Sequence, residues 1–346
     1  MKEKISFVWL FLFSMSLISC SKHPQPSKEN AQPAEAPVAS TSAVPASAPA
    51  ATTAPNKSTE GIKTEMRNVL FHLAPNASAH LEILSGELWP AGKNATVDFD
   101  DKKSFEVRVT NGTVSITPEA LSAIMNNHVF ARSDAPVKDL TVSIDKDRLI
   151  IKGKLHSKGD IPFGTAGTLS VTSDGRLRVH TQKITAMNLP LKGVMGLFGI
   201  ELTNVVNTSK IDGMDTDKND LLMDLGTLLP PPHIRGKLTG VRVEKNVIVT
   251  IFGDGGRSLP PAKEKGSYMA FQGGTVRFGT MVMDPADLTV LDMDPGGPLD
   301  WNQDHYKEQL VAGYSKITPS FGLRAYVKDY NKLGHANSAL TKLPVN

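Results

Sequence analysis

The chain has 346 residues, 38 basic against 35 acidic side chains, and a formal net charge of +3, so its bulk charge indicates neither a nucleic acid nor an anionic membrane surface as partner. Its single cysteine excludes intrachain disulfides and thiolate metal clusters, and stability must therefore come from an apolar core. The nine histidines are scattered without paired spacing, so we expect no metal site and no cofactor.

An apolar run from Ile5 to Ile18 follows two lysines at the start of the chain. This pattern is typical of a secretory signal peptide, and the run is too short for a comfortable bilayer span. The segment Leu17-Ile18-Ser19-Cys20 resembles the lipobox of bacterial lipoproteins. The resemblance implies that residues 1–19 are removed as a signal peptide and that Cys20 carries the acyl chains that anchor the protein to a membrane. It further implies a place in the bacterial cell envelope, facing the periplasm, and Ser21 favours the outer membrane.

Residues 20–60 are predicted to be a disordered tether that begins with the lipidated cysteine. They are rich in Pro, Ala, Ser and Thr and almost free of large apolar side chains, so ordering them would bury too little surface to offset the lost entropy. Forty residues would reach roughly 35 Å as a flexible coil, or about 120 Å if stretched as polyproline. The folded part, which begins near Gly61, can therefore stand clear of the membrane.

Four β-hairpins are predicted between residues 105 and 252. Each joins two short segments in which apolar and polar residues alternate, a pattern typical of strands with one buried face. Residues that favour turns connect the two halves of each hairpin: Asn111-Gly112, Asp145 to Asp147, Asp174-Gly175 and Lys245-Asn246. The middle of the chain therefore predicts a one-sided antiparallel sheet.

A first helix is predicted directly after the first hairpin. Thr117 supplies an N-cap and Pro118 a first helical residue. The apolar residues that follow lie on one stripe of the helix, which makes it amphipathic: Leu121, Ile124, Met125 and Val129.

A second, more apolar helix is predicted from about Leu191 to Val206. Only two charged residues lie between Lys183 and Lys210, so most of its circumference must be enclosed by protein or touch lipid. Its three glycines lower its intrinsic stability, and tertiary contacts must hold it. Two interpretations stay open: the helix closes the core of the sheet, or it forms one wall of a lipid-binding groove.

Two acidic clusters carry the remaining candidate chemistry. Around Asp215 the EF-hand template fails, because Asp220 stands where it needs glycine and Gly226 where it needs glutamate; a solvated loop is favoured over a cation site. The second cluster would support acid/base hydrolysis only if two of its carboxylates converged in a cleft, so an acidic surface is the favoured interpretation. Its members are Asp284, Asp287, Asp292, Asp294, Asp300 and Asp304.

With these elements in order, residues 117–253 resemble the phospholipid-binding envelope proteins of the tubular-lipid-binding type. The resemblance implies an α+β fold in which a curved antiparallel sheet of hairpins is wrapped around the apolar helix, beside an apolar groove. It implies a lipid-binding-like domain at residues 61–265, followed by a C-terminal extension or subdomain at 266–346. Ligand contacts are expected from both helices: Leu121, Met125, Leu191, Val194, Met195, Phe198 and Leu202.

The preferred hypothesis is a non-catalytic, membrane-anchored envelope lipoprotein that binds or shuttles a lipid or a similar apolar ligand. The tether, the one-sided hairpins and the nearly uncharged helix favour it. The alternative is a structural or interaction lipoprotein that holds another protein of the envelope. A hydrolase that uses the C-terminal acids is a third hypothesis and depends on convergent carboxylates.

Overall fold

Strands make up just over half of the residues that the computed structural model describes, which are 60–92, 96–157, 159–182, 184–186, 201–204, 206–294 and 296–334. The strands in these ranges are β1 (Ile62–Ala74), β2 (Ala77–Pro90), β3 (Val97–Asp98), β4 (Phe105–Ile116), β5 (Val137–Asp145), β6 (Arg148–Ser157), β7 (Gly159–Val171), β8 (Leu177–Thr181), β9 (Thr185–Ala186), β10 (Met214–Asp217), β11 (Asp220–Met223), β12 (His233–Arg235), β13 (Leu238–Glu244), β14 (Val247–Phe252), β15 (Tyr268–Gln272), β16 (Val276–Phe278), β17 (Met281–Met283), β18 (Asp287–Asp292), β19 (Leu299–Asn302), β20 (Tyr314–Ile317) and β21 (Leu323–Val327).

The helices within the same ranges are short. They are α1 (Pro118–Ile124), α2 (Leu225–Leu228) and α3 (Tyr306–Val311), with a π-helical turn at Met125–Val129 and 3-10 turns at Leu202–Asn204 and Tyr330–Lys332.

The predicted α+β architecture, a curved sheet wrapped around an apolar helix with a C-terminal extension, is wrong. Strands account for 52% of the structure and helical turns for 11%, and the core is built from strand side chains. The strands β1, β2, β15 and β18 of the larger, eleven-stranded sheet lie outside residues 117–253, the range for which the resemblance was stated. The predicted helix from Leu191 to Val206 lies mostly outside the described residues, and its described part, Leu202–Asn204, is a 3-10 turn.

The larger sheet has eleven strands in the order β13-β14-β4-β2-β1-β15-β18-β21-β20, with β12 added beside β4 and β19 beside β1. Its centre is the antiparallel set of β1, β2 and β4, which are the long strands of this sheet. Most neighbours are antiparallel, but β12, β19 and β21 pair in parallel with β4, β1 and β18. Strands far apart in sequence thus meet in one sheet.

Asn68 marks a change of partner along β1. The strand pairs with β15 up to Arg67 and with β19 from Val69. Between these two, Asn68 has a φ of 52°, a conformation that asparagine tolerates better than most residues. Its side-chain amide donates to Ser267 Oγ at 2.8 Å and to the Gly297 carbonyl at 3.0 Å, which fixes the segments leading into both partner strands.

A second sheet has the order β10-β11-β8-β7-β6-β5, with β9 beside β7. Three of the predicted hairpins are confirmed: β5 with β6, β7 with β8, and β13 with β14 in the larger sheet. A small third sheet joins β17, β16 and β3. The alternation of apolar and polar residues therefore located these strands correctly.

The predicted turn at Asn111-Gly112 is wrong, because β4 runs without interruption through both residues. Gly112 is required there by close approach: a Cβ atom would lie 2.6 Å from the carbonyl oxygen of Ile83 on β2. The predicted start of α1 is confirmed, since Thr117 Oγ1 accepts from the Ala120 amide at 3.2 Å.

The main core lies between the larger sheet and the second sheet. Leu84 of β2 and Val109 of β4 belong to the same buried cluster as Val142, Leu149 and Val179 of the second sheet. Each fully buried aliphatic side chain contributes about 1.5–3 kcal/mol to stability. The contact between the two sheets is therefore the main apolar stabilisation of the fold.

We expect Gly86→Ala to destabilise the protein by about 1–3 kcal/mol, the usual range for overpacking. The added Cβ would lie 2.0 Å from the Arg108 carbonyl oxygen of β4, and neither backbone can move without disturbing the sheet. A thermal melt should show a lower Tm, by about 2–4 °C per kcal/mol. Gly297→Ala is the matched control, because no atom lies within 4 Å of its added Cβ; an equal loss in both variants would contradict the packing argument.

Candidate functional site

An apolar cavity of about 210 Å³ lies between the larger sheet and the second sheet. Side chains of β1, β2, β4 and β14 line it from one side, and side chains of β5, β6, β7, β8 and β11 line it from the other. Residues at and after α1, the 3-10 turn Leu202–Asn204 and the segment from Asp224 to Leu238 also contribute to the described part of the wall. The strands position this site because every second residue of each strand points between the sheets.

Three polar side chains in the cavity wall are hydrogen-bonded to the protein: those of Thr165, Thr181 and Asp224. Thr165 Oγ1 donates to the Gln182 carbonyl at 2.9 Å, and Thr181 Oγ1 donates to the Asn219 carbonyl at 2.8 Å. Asp224 accepts from the Gly226 amide at 3.0 Å and caps α2. Because these groups have protein partners, the wall favours an apolar occupant over a polar one.

The size of the cavity limits what it can hold. A dry apolar cavity of about 150 Å³ already binds benzene, whereas pockets for drug-sized ligands span roughly 300–1,000 Å³. At about 210 Å³ the cavity lies between these values. One alkyl chain or a small apolar molecule matches this volume better than a lipid with two chains.

Three of the seven predicted contact residues line this cavity: Leu121, Met125 and Leu202. The other four, Leu191, Val194, Met195 and Phe198, lie outside the described residues. Sequence reasoning missed the strand residues that form most of the wall, for example Val109, Val142 and Val179. The two-residue alternation of the hairpins was the signal that could have identified them.

A charged groove of about 470 Å³ shares one segment with the cavity wall. Leu229 and Pro232 line the cavity, whereas Pro230 and Pro231, between them, line the groove. The groove's charges largely pair with one another: Lys102 lies 2.7 Å from Asp304, and Lys307 lies 2.6 Å from Asp100. These internal pairs weaken the case for the groove as a ligand site.

Tyr306, which lines the groove, donates a hydrogen bond to Asp100. Hydrogen bonds from Lys307 and Tyr306 hold the pKa of Asp100 below its usual value. Burial, together with the bond to Asp100, raises the pKa of the Tyr306 phenol. The Tyr306 hydroxyl donates to Asp100 and accepts from the Gly279 amide at 2.9 Å, so it joins two segments of the fold.

The acids of the first predicted cluster lie in a hairpin formed by β10 and β11. Asp215 lies 2.8 Å from Arg176, and Asp220 lies 2.5 Å from His180. These contacts account for two of the carboxylates without a metal ion.

The acids of the second predicted cluster are largely dispersed. Asp287 pairs with Arg324, and Asp304 pairs with Lys102. The buried Asp300 lies 2.6 Å from His72 Nε2 and accepts from the Asn331 amide. These contacts give each of the three carboxylates a side-chain partner of its own.

One group of carboxylates does converge: Asp292 and Asp294 lie beside Asp329, with ligand atoms within 4.8 Å of one another. Lys332 Nζ lies 3.0 Å from Asp329 and 3.6 Å from Asp294. Backbone amides donate to all three side chains. Burial and the neighbouring charges raise the pKa of Asp292 to about 6. Because Lys332 and backbone amides are the partners of these carboxylates, the cluster is explained by the structure of the fold and does not require a metal ion.

Comparison with known proteins finds no match to this chain among family models, curated proteins or solved structures. Among the described residues, no helix combines the length and the apolar character that crossing a membrane requires.

We expect Asp292→Asn to stabilise the protein at neutral pH and to have little effect below about pH 4. The pKa of Asp292 is about 6 in the folded protein against a usual 3.8, so the folded state holds the proton more tightly than the unfolded chain. Stability therefore falls as the pH rises from about 4 to about 6, and the full cost is present above that window. The side chain is partly exposed, so screening reduces the expected gain to about 1 kcal/mol.

Urea unfolding between about pH 4 and pH 8 measures this difference. Asparagine keeps the oxygen that accepts from the Asp294 amide at 2.6 Å, so the comparison isolates the charge. Asp254→Asn is a control of opposite sign, because hydrogen bonds from Ser258 and Asn111 lower the pKa of Asp254. That variant should lose stability at neutral pH and recover it in acid; parallel pH profiles for the two variants would contradict both assignments.

Proposed function

We propose that this chain is a non-catalytic, membrane-anchored lipoprotein of a bacterial envelope whose folded part binds or shuttles a lipid or a similar apolar ligand. The single observation that carries the ligand-binding part is the apolar cavity between the two sheets, in whose wall Thr165 and Thr181 already have protein partners. The lipobox at Leu17–Cys20 supports the anchor.

The volume and the lining of the cavity support a ligand with one alkyl chain. Val142 and Leu149 on the second sheet face Leu84 and Val109 on the larger sheet across the cavity, and Met125 adds a flexible side chain that adapts to irregular apolar shapes. Such a wall would discriminate mainly by length and width, because apolar side chains form most of it.

The environment of the acidic residues favours binding over hydrolysis. Acid/base catalysis on a glycoside needs two carboxylates at a separation that admits the substrate. Asp294 and Asp329 converge on Lys332 instead, and Asp300 faces His72.

We expect Val142→Phe to reduce the amount of apolar ligand that the protein retains. Val142 is buried and lines the cavity, so a larger side chain occupies part of the ligand's volume. The measurement is solvent extraction of the purified full chain followed by mass spectrometry, since extraction releases bound molecules and leaves a covalent anchor in place.

Ser143→Phe is the matched control, because Ser143 is the next residue of β5 and is exposed. It should retain as much ligand as the parent protein. Circular dichroism of both variants checks that the fold is preserved. A parent protein that releases no apolar molecule, and takes up none when offered a single-chain fatty acid, would refute the binding proposal.

We expect Cys20→Ser to abolish lipidation and membrane retention. Cys20 is the chain's only cysteine, so a radiolabelled acyl precursor reports on this one thiol, and stable anchoring needs more than one acyl chain. Ser21→Ala is the control and should remain labelled. Label that persists in Cys20→Ser, or a parent protein without label, would refute the anchor independently of ligand binding.

A further inference from the structure

The turn between β20 and β21 displays two large apolar side chains to solvent. Phe321 is 90% exposed and Ile317 is 74% exposed. The six residues 317–322 carry no charge. An exposed aromatic residue in an uncharged turn is suited to the boundary between headgroups and acyl chains, where an apolar side chain can be buried without burying a charge.

The backbone holds Phe321 in a conformation that its side chain disfavours. Its φ is 64°, in the left-handed region where glycine or asparagine is usual. Thr318 fixes this geometry, because its carbonyl accepts from the Phe321 amide at 2.9 Å and its Oγ1 accepts from the Gly322 amide at 2.9 Å. The turn therefore keeps a bulky aromatic at a strained and exposed position, and strain of this kind is characteristic of functional sites.

The turn is anchored to the sheet on its other side. A Cβ atom on Gly322 would lie 2.0 Å from the carboxylate of Asp287, so the backbone of the turn packs directly against the start of β18. Because the base of the turn is fixed, Phe321 is held in one direction.

The pairing of the strands places this turn at the end of the sheet where the folded chain begins. Ile317 is paired with Leu323, Leu323 with Leu288, Leu288 with Phe271, and Phe271 with Thr64. Thr64 is the third residue of β1, and the described chain starts at residue 60. With strands about 4.8 Å apart, the turn lies roughly 15–20 Å from the point where residues 20–59 join the fold.

We propose that Phe321 and Ile317 insert into the surface of the membrane that carries the Cys20 anchor. The proposal rests on the proposed function, since it takes Cys20 as the lipidated residue. The segment that joins Cys20 to the fold enters at the same end of the sheet as the turn, so the turn can meet the lipid without the tether passing along the sheet. Both side chains then leave water for the boundary between headgroups and acyl chains, and the uncharged turn enters with them.

Val311, which lies just before the hairpin of β20 and β21, provides a matched comparison. It is 87% exposed, and it ends α3 just before β20 begins at Tyr314, at the opposite end of β20 from Ile317. If exposure alone determined lipid contact, Val311 and Phe321 would behave alike. Docking by the turn requires that only Phe321 enters the membrane.

The test uses the full lipidated chain in phosphatidylcholine vesicles with and without brominated acyl chains. Phe321→Trp and Val311→Trp each add one fluorophore, and the parent protein supplies the background from Trp89 and Trp301. We expect brominated lipid to remove most of the added fluorescence of Phe321→Trp and to shift its emission to shorter wavelength, while Val311→Trp remains unquenched.

Each outcome decides the proposal. Equal quenching of both variants, or none in either while the parent protein floats with the vesicles, would overturn the docking and leave the anchor intact. A blue shift of Phe321→Trp without quenching by brominated lipid would assign the turn to a contact between copies of the chain, which also overturns the docking. A parent protein that fails to float with the vesicles would refute the anchor itself, and the docking with it.

Discussion

The contact between the apolar faces of the larger and the second sheet is the constraint on which the rest of the structure depends. A slip of one residue in any strand of either sheet would turn its buried face toward solvent, so the register of each strand is fixed by what it meets across the gap. The sheets do not fill that gap completely, and the remaining space is the cavity of about 210 Å³. The candidate ligand site and the hydrophobic core therefore occupy the same layer, between the two sheets.

An empty cavity of this size has an energetic consequence. At about 24 cal/mol per Å³ the unfilled volume would cost about 5 kcal/mol, which is comparable with the whole stability of a typical domain. An apolar ligand that fills the space recovers much of this cost and stabilises the folded state by mass action. The proposed ligand binding would be coupled to fold stability, because the same side chains of β4, β5 and β8 line the cavity and form the core.

The sequence predicted local structure well and long-range structure poorly. The hairpin through Asp174-Gly175 and the cap at Thr117 were predictable because neighbouring residues determine them. Asn111-Gly112 shows the same turn signal, yet Gly112 serves the close approach of Ile83, a residue of another strand. The change of partner at Asn68 depends on segments that begin about 200 residues later, and nothing in the local sequence indicates them.

The candidate site likewise has a part that local sequence predicts and a part that depends on long-range pairing. Helical periodicity drew attention to Leu121, Met125 and Leu202, which do line the cavity. The larger part of the wall comes from alternate strand residues such as Val142 and Val179, and those residues could be assigned to a common cavity only once the pairing of the sheets was known. Periodicity identifies which residues are buried, but it does not say which of them face a space that the core leaves unfilled.

The proposed tether and the turn at Phe321 together suggest why a contact as small as two side chains would suffice at a membrane. A free protein gains little from inserting one phenylalanine, because association costs translational and rotational freedom. Acyl chains on Cys20 would already meet that cost, and the tether would keep the turn at a high effective concentration near the lipid surface. Since β1 begins at the same end of the sheet as the turn, the second contact would add orientation rather than affinity. A strained, uncharged turn with one rigid aromatic is suited to that role.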